Sequence, residues 1–559
     1  MKNTQDFESR LQRSRILHSN DDLYGAKTCC ERLLDDYPKQ VQVMQILGWI
    51  NAQIGQWTVA VEILSNAIEI DPNNQHSYYI LGNIMCKFGS WSGGVECYIT
   101  TMGIDPNHSE AACNMGNAYL ELNQFNDALA SYDMAIRINS RYAEAYSNRG
   151  NALRKLDRLE DALLSLEHAI EIDPKFAQAH LNRGVAMQAL NRHEDAIECY
   201  DKAILIRPDY AEALTNRGTA QLMLNRVQES IASYDQAIQI QADYVDAYWN
   251  KSLALLVSGN FVEGWKLYES RWGDKSVDPK KRNFSQPLWL GEESLIGKSI
   301  LLHAEQGLGD TLQFCRYAKL FKGIAGRVIL EVQQPLVALF ESFDGIDEVV
   351  ERGKLLPTFD YHCPLLSLPY AFKTELNNIP NQNSPYIHAK HGMREHWNKK
   401  LGEKKIPRAG LVWRGNIDHK NNKNRSMDLT QLLKYLPQNI EYISMQKEIN
   451  EIEREALQDR SIKNLGDSLF DFNDTASICD LLDVVISVDT SVVHLAAAMG
   501  KNTWLILPFA PDWRWMLHRS DSPWYQSLTI YRQDVSRNYQ PVLERIKKDL
   551  IEQFGVKTK

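Results

Sequence analysis

Three short segments in the second half of the chain combine residue types suited to acid–base chemistry and anion binding. The first is Gln306-Gly307-Leu308-Gly309-Asp310, which follows an apolar run and opens an amphipathic one. Glycines there let a ligand approach the backbone, and a helix starting at this point offers free N–H groups. Asp310 falls in the first turn of that helix, where the macrodipole favours a carboxylate; it can take a proton from a substrate hydroxyl or simply cap the helix. The second segment ends a hydrophobic run on Asp489-Thr490-Ser491 and continues through His494 into the alanine-rich stretch 495–498. Its hydroxyls and first-turn N–H groups suit a diphosphate, with His494 either adding a donor or serving as a structural imidazole. The third, Val412-Trp413-Arg414-Gly415-Asn416, leads into the basic loop IDHKNNKNRS, which closes on Arg425-Ser426. Its cations can neutralise a phosphate leaving group, or the loop is a solvated face.

A fourth constellation lies in the first half. Asn114, Asn148, Asn182, Asn216 and Asn250 stand thirty-four residues apart. A side-chain amide offers a donor and an acceptor together, matching the N–H and C=O of an extended peptide. Neighbouring helices lie roughly 10 Å apart and an extended chain advances about 3.3 Å per residue, so one amide serves about every third peptide residue. The alternative is a neutral asparagine retained through duplication. Ile46 and Ile80 occupy the same position earlier in the chain, so the series begins only at Asn114.

The elements that must carry these residues are legible. Gly48, Gly82, Gly116, Gly150, Gly184 and Gly218 repeat every thirty-four residues, and Ser252 continues the series. Small residues follow twelve positions later (Ala60, Gly94, Ala128, Ala162, Ala196, Ser230) and large ones four beyond that (Leu64, Tyr98, Tyr132, Leu166, Tyr200, Tyr234). Prolines at 38, 72, 106, 174 and 208 close the repeats. Two antiparallel helices per repeat satisfy this pattern, and such repeats bury their faces only by stacking. This resembles the tetratricopeptide repeat over roughly residues 7–273, or about eight repeats. The resemblance puts the asparagines on the concave face.

Periodicity breaks at 274–287, a charged, proline-bearing linker. Strand-like runs at 299–304, 327–333 and 347–353 predict one α/β domain over 288–400, and runs at 408–416, 440–447, 483–489 and 502–508 predict a second over 401–559. Ligands of such sheets sit at the carboxyl ends of strands, where all three glycine- or hydroxyl-bearing turns fall.

Composition narrows the setting. In 559 residues, 44% hydrophobic and 24% charged content is that of a globular chain, and a net charge of −9 offers no general attraction to nucleic acid. Nine cysteines, an odd number without ligand spacing, suit a reducing compartment, and no apolar stretch reaches the length of a membrane span, so a cytoplasmic protein is expected.

The three turns together resemble heptosyltransferase-like glycosyltransferases of the GT-B fold over roughly residues 295–535: LHAEQGLGD matches that family's first glycine–aspartate turn, and Asp489-Thr490-Ser491-x-x-His494 its donor signature, with Ser491 in place of the usual glycine. The fold class implied is an α-solenoid followed by two Rossmann-like domains, the first on the acceptor side and the second on the donor side. The resemblance implies Asp310 as general base and a nucleotide-sugar site formed by Gly307, Gly309, Trp413, Arg414, Asn416, Met445, Gln446, Asp489, Thr490, Ser491 and His494. No metal or other cofactor is implied. The segment 540–555 fits the helix that crosses back to the first domain in that fold. Both halves together are similar to bacterial tetratricopeptide-containing glycosyltransferases, including those that modify flagellin, and the repeat half to O-GlcNAc transferase. That implies sugar transfer to Ser or Thr of a protein held along the asparagines. The rival readings are a glycan- or lipid-directed enzyme whose solenoid recruits partners, and a non-catalytic scaffold.

Overall fold

The computed structural model describes residues 2–273, 282–416 and 422–555. Most of the expected linker and part of the basic loop, residues 274–281 and 417–421, therefore lie outside the described residues. Two compact units divide between Ala220 and Gln221, and each has its own logic.

The first unit is an array of paired helices, beginning with Lys2–Ser19 and Leu23–Asp36 and repeating in thirteen- and fourteen-residue helices such as Ser109–Glu121 and Phe125–Ile138. Including those that continue past Ala220, sixteen helices run from Lys2 to Tyr268. The periodic glycines have a steric cause. A Cβ on Gly116 would lie 2.5 Å from the buried ring of Tyr132, and one on Gly150 would lie 2.6 Å from Leu166. The large residue sixteen positions on therefore fills the space that the glycine vacates, across the two helices of one repeat. A second period went unread in the sequence. Asp21, Gly55, Gly89, Asn123, Asp157, Asn191, Asn225 and Gly259 all have positive φ between paired helices. Those residue types tolerate the left-handed region, and each position reverses the chain once per repeat.

This packing gives a paired prediction. Gly116→Ala gains helix propensity worth about 1 kcal/mol but overpacks a rigid ring, so the net is destabilisation of about 1–2 kcal/mol. Gly103 lies in the helix Trp91–Ile104 and a Cβ there meets nothing within 4 Å; Gly103→Ala should stabilise by up to about 1 kcal/mol. Urea unfolding of the two variants should move the midpoint in opposite directions.

The second unit holds the last repeat helices, Val227–Ile240, Val245–Ser258 and Phe261–Tyr268, and two parallel sheets. The first sheet contains β1 (Ser299–His303), β2 (Arg327–Val332), β3 (Glu348–Glu351) and β4 (Tyr361–Pro364) in the order β3-β2-β1-β4. The second contains β5 (Arg408–Val412), β6 (Glu441–Ser444), β7 (Lys463–Asn464), β8 (Val484–Val488), β9 (Thr503–Leu507) and β10 (Leu528–Arg532) in the order β10-β9-β8-β5-β6-β7. That is the doubly wound order, with its switch point between β5 and β8. Strands β4, β7 and β10 were not anticipated from the sequence. Short length hides β7, and β4 ends on Pro364.

One hydrophobic core runs through both sheets and the last repeat helices. Trp265 packs edge-on against Trp513 with ring centroids 5.2 Å apart, and Phe261 stacks on Trp524 at 5.7 Å. Arg316, fully buried, donates to the Trp524 carbonyl at 2.8 Å and to the Tyr386 hydroxyl at 2.8 Å. The segment between β9 and β10 thus ties the second sheet to the helix that follows β1. The carboxy-terminal helix Gln540–Phe554 does something else. Its Val542, Leu543, Ile546 and Leu550 are buried in a separate core formed by β5, β6, β8, β9 and β10 residues. Its apolar face belongs to the second sheet, which corrects the expected crossing to the first.

Candidate functional site

The turns after β1, β5, β6 and β8 line one cleft of about 710 Å³ in the second unit, a size suited to a nucleotide-sized ligand. Its lining includes Gly307, Gly309 and Asp310 from the first sheet, and Arg414, Asn416, Met445 and Gln446 from the second. Asp489, Thr490, Ser491 and His494 complete the second sheet's side. The two sheets' turns touch: a Cβ on Gly309 would lie 2.9 Å from Cδ2 of His494 and 3.6 Å from Cα of Ser491. Gly309 is therefore needed for this close approach, whatever else it contacts.

Asp310 is largely buried. Its Oδ2 accepts from the Gly307 amide at 2.7 Å, closing the start of the helix Leu308–Phe314, and its Oδ1 pairs with Arg514. Capping and chemistry are thus compatible. Burial raises the Asp310 pKa above the usual carboxylate value, with Arg514 pulling it back and Asp512 adding to the rise. Arg514 itself donates to Gln313 at 2.8 Å and to Asp512 at 2.9 Å. This arginine sits between Trp513 and Trp515, outside the three segments whose residue types point to chemistry.

On the opposite wall, burial pushes the Asp489 carboxyl up to about 6, with Asp512 adding to the rise and Arg514 and Arg425 opposing it. Thr490 caps the helix Ser491–Ala498, and its hydroxyl lies 3.1 Å from that of Ser487. The His494 imidazole is buried and stacks on Trp515, with Nδ1 3.0 Å from the Tyr525 hydroxyl and Nε2 3.9 Å from Asp489. Burial, with Arg514 and Arg316 nearby, holds its pKa well below the ordinary value. His494 is a neutral ring with one edge fixed by a tyrosine.

After β5 the backbone alternates, and so do the roles. Trp413 is fully buried in the core beneath the cleft, and its indole donates to Glu453 at 2.8 Å. It does not line the cleft, contrary to the sequence expectation. Arg414 does, with one terminal nitrogen donating to Glu448 O at 2.7 Å and Glu453 at 3.0 Å, while its buried Nε has no hydrogen-bond partner among the described residues. Arg425 lies across Gly415, and its buried Nε likewise lacks a partner among the described residues. Gln446 uses its side-chain oxygen to accept from the backbone amides of Trp413 and Arg414, at 3.3 and 3.1 Å. Its amide therefore shapes the turn after β5. No cluster of three or more His, Cys, Asp or Glu able to hold a metal occurs among the described residues.

The five asparagines are half-buried, each on the first helix of its repeat. In the first unit part of their capacity is already used. Asn114 Nδ2 donates to Asn83 at 3.0 Å and Tyr79 at 3.2 Å, Asn148 Nδ2 to Asn117 at 3.0 Å, and Asn182 Nδ2 to Ser147 at 3.0 Å. Asn83 and Asn117 also accept from the buried Tyr98 and Tyr132 hydroxyls, both at 2.7 Å. The amide nitrogens staple successive repeats together.

Residues 116–157, 150–191 and 189–225 match the family described as TPR repeat, and residues 211–244 match tetratricopeptide repeat. The first half of the chain is a tetratricopeptide-repeat solenoid. Protein FlbA of Caulobacter vibrioides is 25% identical over 325 residues, covering 52% of this chain and 52% of that protein. The chain thus spans about half the length of the curated relative it matches. Among solved structures, MamA is 26% identical over 29% of this chain and 95% of its own, with a TM-score of 0.27. A tetratricopeptide repeat protein of Parabacteroides merdae is 15% identical over 45% of this chain and 99% of its own, with a TM-score of 0.39. Tetratricopeptide arrays suit protein partners, and among the described residues no helix is long and apolar enough to cross a membrane.

Proposed function

We propose that this protein is a glycosyltransferase that moves a sugar from a nucleotide sugar to a Ser or Thr hydroxyl of a polypeptide held by the tetratricopeptide solenoid. The observation that carries the reading is the cleft. A carboxylate turn from one α/β sheet meets a hydroxyl-rich helix start from the other, with two arginine Nε groups lacking partners among the described residues.

In the reaction the acceptor oxygen bonds to the anomeric carbon as the bond from that carbon to the phosphate oxygen breaks. The hydroxyl proton passes to Asp310, and the electron pair leaves with the nucleoside diphosphate. Arg414, Arg425 and the Ser491 helix start offset the charge that develops there. A flagellin-like acceptor would be one substrate of this kind. The solenoid supports a protein acceptor over a lipid or free glycan, because side-chain oxygens of the asparagine series can meet peptide N–H groups, although that of Asn182 already accepts from Gln178 at 3.1 Å.

The test is to incubate the chain with a panel of nucleotide sugars and a co-expressed candidate acceptor, and to measure nucleoside diphosphate release and intact acceptor mass. Release with a matching mass increment is expected; consumption of no donor across the panel would sink the reading.

A pH dependence follows from Asp489. Its carboxyl ionises near 6, so it is charged at pH 7 and loses that charge as pH falls through 6. Burial, with Arg514 and Arg316 nearby, holds the His494 pKa well below its ordinary value. Nucleoside diphosphate affinity of the wild type, taken relative to Asp489→Asn, should rise by about threefold to tenfold between pH 7.5 and 5.5. Calorimetric titration measures both proteins, and parallel pH curves would exclude Asp489 from the anion site.

A further inference from the structure

The amide series does not reach the amino-terminal repeats, and a different surface takes its place there. Ile46 and Ile80 stand where later repeats carry asparagine. With Trp49 and Tyr79 they line a cavity of about 430 Å³ formed by the first helices of three successive repeats. Ile80 is buried, while Ile46, Trp49 and Tyr79 are half-buried, so the floor is apolar yet open to solvent. Arg15, His18 and His76 line the rim, and no Asp or Glu does so among the described residues; burial, with His108 nearby, lowers the His76 pKa, so Arg15 is the fixed charge there. Tyr79 also accepts a hydrogen bond from Asn114. The cavity therefore adjoins the first residue of the amide series.

We propose that this cavity is an anchor pocket for one aromatic or large aliphatic side chain of a polypeptide that carries a carboxylate next to it. The rest of that polypeptide then runs on along the asparagines. The chemistry follows from the lining. An apolar floor with Trp49 and Tyr79 favours an aromatic ring, and burying one such side chain strengthens binding by about tenfold or more. Arg15 presents a fixed positive charge beside it, which selects an acidic neighbour over a basic one. The asparagine stretch recognises backbone and is indifferent to sequence, so the pocket supplies the side-chain selection that the amides lack. The inference rests on the solenoid as a polypeptide-binding surface and is independent of sugar transfer, so it is tested without any nucleotide sugar.

The experiment pans random linear peptides displayed on phage against the full chain and measures selected peptides by fluorescence anisotropy. Binders should be enriched in an aromatic residue beside Asp or Glu, and changing that pair to alanines should weaken binding tenfold or more. The double variant Ile46→Asn with Ile80→Asn installs the residue that later repeats carry at this position; because Ile80 is buried in its repeat's core, the single variant Ile46→Asn, at a half-buried position, is measured beside it and unfolding curves confirm that both fold. The double variant should lose the aromatic preference. Arg15 is exposed, and Arg15→Glu should switch the selected neighbour from Asp or Glu to Lys or Arg. Enrichment of no such pair overturns the proposal, as does the same enrichment in the double variant. Self-association of the wild type that the double variant abolishes would also overturn it, by making the occupant a second copy of this chain.

Discussion

Asp310→Asn is expected to lower the rate of sugar transfer by about two to four orders of magnitude, the range for loss of a general base. Donor affinity should change little. The reasons are geometric. Asparagine can still accept from the Gly307 amide, so the start of the Leu308–Phe314 helix keeps its cap. Arg514 loses one carboxylate but retains Asp512 and Gln313, so no buried guanidinium is left unpaired. What the variant removes is the proposed proton acceptor on the first sheet's side of the cleft. In the wild type, burial makes Asp310 a stronger base than an ordinary carboxylate, and activity should decline as pH falls through its raised pKa. Steady-state kinetics on purified acceptor, with unfolding curves to show an intact fold, checks this. Transfer within tenfold of wild type would remove Asp310 from the base role, and a selective loss of donor affinity would make it a group that orients Arg514.

The second large effect concerns Arg271. This arginine ends the last repeat in the 3₁₀ turn Glu269–Gly273, and its side chain is fully buried. Two of its nitrogens meet both oxygens of Glu305 at 3.1 and 3.2 Å, a third contact reaches Glu269 at 2.7 Å, and a fourth reaches Ser367 at 2.7 Å. Arg271→Ala leaves Glu305 buried without its partner, and stability of the second unit should fall by about 3–5 kcal/mol. Replacing both residues by methionine should recover most of that loss, since a packed apolar pair avoids desolvating two charges. The deficit has a pH signature. Burial pushes Glu305 up to about 7 even beside Arg271. A carboxyl raised in the folded state costs nothing once protonated and most when ionised, so the Arg271→Ala deficit should shrink as pH falls below 7 and grow above it. Urea unfolding at several pH values gives the answer, and a loss under about 1 kcal/mol at pH 8 would show that the ion pair is not a staple. Glu305 immediately precedes Gln306-Gly307, so the same variant should also disturb the first sheet's turn in the cleft.

Legibility in the sequence followed local repetition. The thirty-four-residue period was visible because each glycine is matched sterically by one large side chain sixteen residues on. The parallel sheets were visible as apolar runs alternating with helical ones. What escaped depends on contacts distant in sequence. Arg514 meets Asp310 across 204 residues, and nothing near either residue signals the other. The resemblance implies Trp413 as a ligand contact beside Arg414, but alternation after β5 sends these neighbours to opposite faces. The resemblance implies Gln446 as a ligand residue, and its bonds to the turn's own backbone, made across more than thirty residues, leave no local mark in the sequence. The spacing of the asparagines suits either a bound peptide or a neutral residue kept through duplication, and neither reading contains the bonds by which the amide nitrogens of Asn114, Asn148 and Asn182 join neighbouring repeats.

The shared core of the second unit fixes where this protein can be cut. Phe261 and Trp265 belong as much to the α/β region as Phe314, Trp513 and Trp524 do. A fragment beginning after the last repeat would bare those aromatic faces to water and precipitate. One beginning at Tyr210, ahead of the helix Ala211–Met223, keeps a whole helix pair together with that lining. Recombination between related chains faces the same constraint: solenoids of different length and reading preference can be exchanged ahead of that point. The final repeats must travel with the α/β region as part of its inheritance.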